Sequence, residues 1–180
     1  LMDVACSTLC FSRMPLVAAL RTMAELEFNG VDLAITDSKG QITVDELTRD
    51  PLSVINQLKL GPTLNYSALT LRTDRQGSEL EKCVDAVAHF AKNIAAPILV
   101  LTAAPSQTPM SQEVDRLKRL VGVASRHGAV ATVATKTGTL TEHPETAVEL
   151  CEKVEGLALT LDASHFICGP HQGKSFDVVY

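Results

Sequence analysis

The chain of 180 residues has no tryptophan, few aromatic residues of any kind (4%) and no excess of basic charge. A net charge of −5 disfavours a polyphosphate partner, and the scarcity of aromatic residues leaves no stacking platform for single-stranded nucleic acid. The five cysteines are odd in number and contain no Cys-x-x-Cys, so they suggest neither a zinc ribbon nor a disulfide framework. We therefore predict a cytoplasmic protein that binds no nucleic acid.

Long hydrophobic runs and glycine-rich nucleotide loops are also missing. The most apolar stretch, 94–104, is about half the length of a bilayer span and is interrupted by Pro97, and no basic signal-peptide segment precedes it. No Gly-x-Gly-x-x-Gly follows an early strand, and Lys136-Thr-Gly-Thr139 lacks both glycines that precede the lysine of a phosphate loop. These absences predict a protein without a membrane partner or a dinucleotide site.

The sequence contains instead a regular alternation of apolar runs and amphipathic segments. Runs of strand character recur at intervals of roughly 27 to 35 residues, about the size of one βα unit, and begin near Val4, Val31, Thr63, Ile98, Ala129 and Leu157. Helical spacing lies between them, as in Leu80, Cys83, Val84, Val87, Phe90, Ala91 and Ile94. Six such units predict an α/β fold with a mostly parallel sheet, either doubly wound or a (β/α)8 barrel.

Capping residues and breakers predict where the helices begin and end. Thr43-x-x-Glu46 and Ser78-x-x-Glu81 are capping boxes, in which a hydroxyl and a carboxylate satisfy free amides at a helix start. Pro51 should interrupt the second helical region. Left-handed glycines are expected at four helix ends: Gly30, Gly61, Gly128 and Gly156.

Three segments carry a family resemblance. Residues 7–11 read Ser-Thr-Leu-Cys-Phe, residues 24–33 read Ala-Glu-Leu-Glu-Phe-Asn-Gly-Val-Asp-Leu, and the run 157–166 ends in Asp-x-x-His-Phe. They resemble the opening βαβ unit and the sixth strand of xylose-isomerase-like TIM barrels. That superfamily includes sugar and sugar-phosphate isomerases and epimerases, dehydratases, and AP endonuclease family 2 (endonuclease IV-type) enzymes.

The resemblance implies a single xylose-isomerase-like (β/α)8 domain over residues 1–180, with about six of its eight βα units present. Because a barrel closes only when its last strand pairs with its first, two sheet edges would be left open. We expect either that the last two units are missing at the C-terminus or that a partner chain, as in a homo-oligomer, covers the opening.

The resemblance also implies a divalent metal (Mn²⁺, Mg²⁺ or Co²⁺) at the carboxyl ends of the strands. Asp162 is the expected metal ligand, and His165 is expected to bind the metal or the substrate. The fifth strand carries Ala134 where the family has a glutamate ligand, and Lys136 replaces a histidine or asparagine. A methyl group cannot bind a cation, so we expect metal binding to be weak or absent. Lys136 and His165 are the residues expected to bind substrate, Lys136 by pairing with Asp162 or with an anionic group; the alternative is that Lys136 extends into solvent.

The implied function is a sugar or sugar-phosphate isomerase or epimerase that uses the metal and moves a proton through a cis-enediolate. Its partner would be a small carbohydrate or polyol. Because Ala134 replaces the glutamate, a second function is also considered: a non-catalytic barrel that binds a sugar-like ligand or a protein. A third, an endonuclease IV-like phosphodiesterase, needs more carboxylate and histidine ligands than the sequence offers.

Two further groups of residues have simpler interpretations. A basic cluster on one helix predicts a solvated helix face: Arg116, Lys118, Arg119 and Arg126. His171 lies in the loop 169–173 after the sixth strand, from which it could reach over the mouth of the barrel and touch a ligand.

Overall fold

The computed structural model describes residues 4–180, in which strands and helices alternate along the chain; the first three residues of the predicted domain lie outside this range. The strands are β1 (Ala5–Ser7), β2 (Gly30–Thr36), β3 (Asn65–Arg72), β4 (Ile98–Thr102), β5 (Val130–Ala134) and β6 (Ala158–Thr160). The helices are α1 (Leu16–Glu25), α2 (Val44–Arg49), α3 (Pro51–Lys59), α4 (Gly77–Asn93), α5 (Met110–Arg126), α6 (Pro144–Lys153) and α7 (Ser164–Cys168). No helix within the described range is long and apolar enough to cross a membrane.

All six strands form one parallel sheet in the order β1-β2-β3-β4-β5-β6. Since right-handed crossovers between sequential neighbours put every helix on the same face, this is the topology of a βα barrel and not of a doubly wound sheet. Within residues 4–180, β1 and β6 are the two edges and do not pair with each other. The predicted barrel of six units is confirmed, and it is open on one side.

The two faces of the sheet differ in chemistry. The outer face packs against the helices, and its central side chains are fully buried, among them Leu33, Leu69, Leu99 and Val133. The inner face carries small and polar side chains at the alternate positions. There the Thr70 hydroxyl donates to Asp32 Oδ1 at 2.8 Å, and the hydroxyls of Thr132 and Thr160 lie 2.6 Å apart. The hydrophobic core therefore lies outside the sheet, whereas the inner face mixes polar side chains with apolar ones such as Ile98 and Val100.

Most of the predicted helix boundaries are confirmed. Thr43 and Glu46 form the expected capping box at the start of α2, and Pro51 separates α2 from α3. The box at Ser78 and Glu81 was a wrong prediction, because α4 already begins at Gly77 and its N-cap, Gln76, makes no side-chain cap bond.

Two of the four predicted glycine ends are also confirmed. Gly128 and Gly156 have left-handed φ values of 80° and 82°. The left-handed residue after α1, however, is Glu27 (φ 66°), and Gly30 is the first residue of β2, where a Cβ would come within 3.0 Å of Ala5 Cβ. Gly30 therefore serves the close approach of β1 and not the end of a helix.

Candidate functional site

The carboxyl ends of the parallel strands meet at one end of the sheet, here called the mouth. Strand register places five inner-face side chains in a row across it, the mouth row: Thr36, Arg72, Thr102, Ala134 and Thr160. Three of the five carry hydroxyls, and none carries a carboxylate. Catalytic and binding residues of βα barrels come from this end, so the mouth row is the floor of the candidate site.

Asp162 lies directly beyond β6, at the position that the sequence predicts. Its Oδ1 accepts hydrogen bonds from the amide (3.0 Å) and the hydroxyl (2.6 Å) of Ser164, which fixes the start of α7. Its Oδ2 lies 3.8 Å from Nε2 of His165, and the side chain is 56% exposed. One oxygen of the predicted ligand is thus occupied by the backbone of its own turn.

His165 lies beside Asp162 without a hydrogen bond between the two side chains. The backbone N–H of Thr137 donates to His165 Nδ1 at 3.3 Å, and the Thr137 hydroxyl lies 3.3 Å from the same nitrogen. His165 Nε2 is 3.8 Å from Asp162 Oδ2, which is too long for a hydrogen bond. The two side chains are therefore close enough to contact one ligand together.

Ala134 ends β5 beside Thr160 of β6, in the mouth row. A methyl group therefore occupies the inner-face position at which the resemblance puts a glutamate. In the described part of the chain, no three His, Cys, Asp or Glu side chains come close enough together to hold a metal. The donor set of residues 4–180 does not fit a tightly held divalent ion.

Lys136 lies in the exposed turn after β5, where its carbonyl accepts a hydrogen bond from Thr139 Oγ1 at 2.7 Å. Among the described residues its ammonium forms no ion pair, either with Asp162 or with another carboxylate. The turns after β4 and β5 are joined through Leu140 N and Ala104 O, 2.9 Å apart. Lys136 thus adds an unpaired positive charge to a turn at the mouth that a hydrogen bond holds against the turn after β4.

Two of the simpler interpretations need correction. Arg116 does not belong to a solvated face, because its guanidinium bonds both oxygens of Glu113 (2.6 and 2.7 Å) and the carbonyl of Thr102. Glu113 is fully buried and accepts the Ala104 amide at 2.9 Å, so the pair holds the loop after β4. His171 is buried and its Nε2 bonds the Ser175 carbonyl at 2.7 Å, so this ring is not exposed to a ligand.

Asp37, which the sequence did not single out, follows β2 at the mouth and is already paired. It accepts the Thr73 hydroxyl at 2.8 Å and lies 3.1 Å from Arg75 Nε. Arg75 also donates to Asp45 at 2.8 Å, and this bond raises the pKa of the guanidinium. The charge of Asp37 is thereby balanced by Arg75.

A cleft of about 590 Å³ opens between the loops that follow β1 and β2. Its lining contains two cations, Arg13 and Lys39, three hydroxyl side chains (Thr8, Ser12 and Thr36), and no carboxylate or histidine. Sequence reasoning missed this cleft, because the two loops are about 25 residues apart and only strand pairing brings them together. We name it the β1–β2 cleft.

Comparison with solved structures supports the fold. A xylose-isomerase-like TIM barrel protein from Mycobacterium smegmatis, in complex with magnesium, is 16% identical with a TM-score of 0.71 over 92% of this chain and 66% of its own. An AP endonuclease, family 2, from Brucella melitensis is 17% identical with a TM-score of 0.70 over 91% and 70%. D-allulose 3-epimerase from a Methylomonas species, in complex with D-allulose, is 12% identical with a TM-score of 0.71 over 94% and 65%.

The chain spans about two thirds of the length of these proteins. No family model and no curated protein matches it. At these identities the likeness establishes the fold alone: six βα units of a TIM barrel, similar to those of the xylose-isomerase-like barrel protein.

Proposed function

We propose that this chain binds a small carbohydrate or polyol at the mouth of its open barrel, as a relative of sugar isomerases and epimerases. The observation that carries the proposal is the mouth row, in which hydroxyl side chains and Arg72 replace the apolar residues that fill a closed core. Hydroxyls and charged hydrogen-bond donors are the groups that recognise a polyhydroxylated ligand. A neighbour of the same fold is described in complex with D-allulose.

Lys136 and His165 extend the mouth row toward solvent and are our proposed substrate contacts. The Lys136 ammonium is free to donate, and His165 Nε2 lies 3.8 Å from Oδ2 of the exposed Asp162 side chain. Together the ammonium, the imidazole and the carboxylate offer donors and acceptors to vicinal hydroxyls of a sugar.

Turnover is a separate matter from binding. Isomerisation or epimerisation through a cis-enediolate requires a base that takes a proton from the carbon next to a carbonyl. Ala134 has no group that accepts a proton, and the described residues do not fit a resident metal. We therefore propose the non-catalytic alternative for the chain as described, namely that it binds the sugar without interconverting it.

The test is an amide chemical-shift titration of the 180-residue chain with D-allulose and D-fructose. We expect shifts at Thr36, Thr102, Thr160 and Lys136, and none at the opposite end of the sheet, where Tyr66 and Ser67 line a separate depression. Lys136→Ala and His165→Ala should weaken binding, whereas Lys92→Ala, an exposed lysine on α4, serves as the control.

Shifts confined to the Tyr66 end, or no shifts at all, would show that the mouth binds no sugar. Each sugar is also incubated with the chain and analysed for its epimers and aldose isomers. Interconversion above the buffer rate would contradict the non-catalytic proposal while leaving the binding site in place.

A further inference from the structure

The β1–β2 cleft has a charge opposite to that of the whole chain. Arg13 and Lys39 are both exposed on its walls, and no carboxylate lines it, although the chain as a whole carries a net charge of −5. Two like charges in one cleft repel each other, which favours a bound anion. The local charge is thus a feature of this cleft and not of the overall composition.

Arg13 and Lys39 have no ion-pair partner among the described residues, whereas the neighbouring Arg75 has two. Arg75, on the next loop, is held by Asp37 and Asp45. Within residues 4–180, Arg13 and Lys39 form no ion pair, and neither does Arg72, whose strand position is opposite Thr36 of the cleft. Three free cations therefore surround the ends of β1, β2 and β3.

The walls of the cleft are braced before any ligand arrives. Nε2 of Gln41 donates to the carbonyls of Phe11 (2.9 Å) and Met14 (2.8 Å), which ties the loop after β2 to the loop after β1. The buried Thr8 hydroxyl accepts the Ala34 amide at 2.9 Å beneath them. A preformed cleft binds with a smaller entropic cost than one whose loops must first be ordered.

The floor of the cleft contains an unsatisfied polar atom. The Thr36 hydroxyl is the one buried side-chain oxygen or nitrogen in the described chain that has no hydrogen-bond partner. Gly40 covers it so closely that a Cβ at this position would collide with the hydroxyl. A buried hydroxyl without a partner is costly to the free chain. Because Gly40 covers the Thr36 hydroxyl, a ligand group bonds it only after Gly40 is displaced, and a ligand in the cleft is assigned to the cations and Ser12 instead.

The geometry points to an anion subsite in the β1–β2 cleft, which takes the phosphate or carboxylate group of a carbohydrate or polyol. Arg13 and Lys39 supply charge-assisted hydrogen bonds, and the exposed hydroxyl of Ser12 supplies a neutral one. The inference rests on the proposed function, since it assigns a charged end to the same ligand. The cleft adjoins the mouth row through Thr36, which belongs to both.

The experiment compares D-fructose 6-phosphate, D-gluconate, neutral D-fructose and inorganic phosphate as probes in the same titration. We expect an anionic sugar to bind about tenfold more tightly than D-fructose, the effect of one charge-assisted hydrogen bond. An Arg13→Gln/Lys39→Gln double variant should abolish this preference and leave D-fructose binding unchanged. The matched control, Lys92→Gln/Lys118→Gln, removes two exposed charges from α4 and α5 and should retain the preference.

Equal affinities for anionic and neutral sugars, or a preference that survives in Arg13→Gln/Lys39→Gln, would overturn the subsite. The relative affinity of D-fructose 6-phosphate and D-gluconate assigns the anion as phosphate or carboxylate. If no sugar binds, the proposed function fails, and the titration with inorganic phosphate tests the anion subsite separately. Amide shifts at Arg13 and Lys39 on addition of phosphate would support the subsite, and the absence of such shifts would reject it.

Discussion

The Thr135 hydroxyl forms two hydrogen bonds with the backbone of Asp162: it accepts the amide at 2.7 Å and donates to the carbonyl at 3.0 Å. Thr135 is buried, with 1% of its surface exposed, so these bonds are shielded from water. They continue the pairing of β5 and β6 beyond the last strand residues. The position of Asp162 therefore depends on the residue that directly follows the neighbouring strand β5.

We predict that Thr135→Val destabilises the chain by about 1–2 kcal/mol, because it keeps the shape of the side chain and removes both hydrogen bonds. Urea unfolding followed by circular dichroism measures the change. Thr137→Val, two residues further in the exposed turn, is the control and should change the stability by less than about 0.5 kcal/mol. Equal losses in the two variants would show that the bonds to Asp162 contribute nothing specific.

The sequence predicted the positions of the strands more accurately than the side-chain contacts at the mouth. Strand starts expected at Val31 and Ile98 lie within one residue of the structure, because short apolar runs bounded by helices have few other arrangements. Asp162 was also correctly placed after β6. Its bonds to Ser164 could not be anticipated, since a carboxylate after a strand serves a turn or a ligand equally well.

The β1–β2 cleft illustrates the remaining limit of the sequence. Arg13 and Lys39 lie in loops with no distinctive spacing, and their common surface depends on bonds such as Gln41 to Met14, which join distant residues. Arg116 was misjudged for a different reason. Glu113 lies three residues before it on α5, so helical spacing alone places the two side chains together. The burial of Glu113 against the Ala104 amide depends on the fold and could not be anticipated.

Removal of the Glu113 carboxylate should be among the most damaging single changes. Glu113→Ala leaves the half-buried Arg116 and the Ala104 amide without their partner, for which we expect a loss of about 3–5 kcal/mol. Glu113→Gln keeps an acceptor for the Ala104 amide and should cost less. Chemical denaturation of both variants gives the comparison.

The matched control is Glu79→Ala, which breaks the fully exposed pair with Lys82 and should leave the unfolding midpoint unchanged. Addition of Arg116→Met to Glu113→Ala should restore part of the lost stability, because it removes the unpaired charge. No recovery in this double variant would indicate that the pair acts only through the volume that it fills.

The five thiols should react at different rates in the folded chain. Cys10 and Cys168 are exposed, whereas burial raises the pKa of Cys83 and of Cys151. A raised pKa leaves less thiolate at a given pH, and the thiolate is the form that reacts. At pH 8, iodoacetamide should therefore modify Cys10 and Cys168 first, and Cys83 and Cys151 only after unfolding in urea. Peptide mass spectrometry at timed intervals measures the alkylation of each cysteine. Alkylation of Cys83 as fast as that of Cys10 in the absence of urea would contradict the prediction.

The last residue of β5, Ala134, occupies the inner-face position next to β6. Ala134 pairs with Thr160, and Thr160 precedes Asp162 by two residues. A glutamate in place of Ala134 would therefore bring a carboxylate toward the exposed oxygen of Asp162 and the His165 ring. Divalent cations are held by the number and charge of their oxygen ligands. We expect Ala134→Glu to bind Mn²⁺ at least about tenfold more tightly than the parent chain in calorimetric titration, since one further carboxylate joins the set.

Two further variants make this result specific to the mouth. Ala134→Gln has the same size without the charge and should not gain affinity, and Ala134→Glu/Asp162→Asn should lose the gain. Tight Mn²⁺ binding by the parent would contradict the absence of a fitting donor set in residues 4–180. A gain that survives Asp162→Asn would instead show that the new glutamate binds the ion with groups other than Asp162.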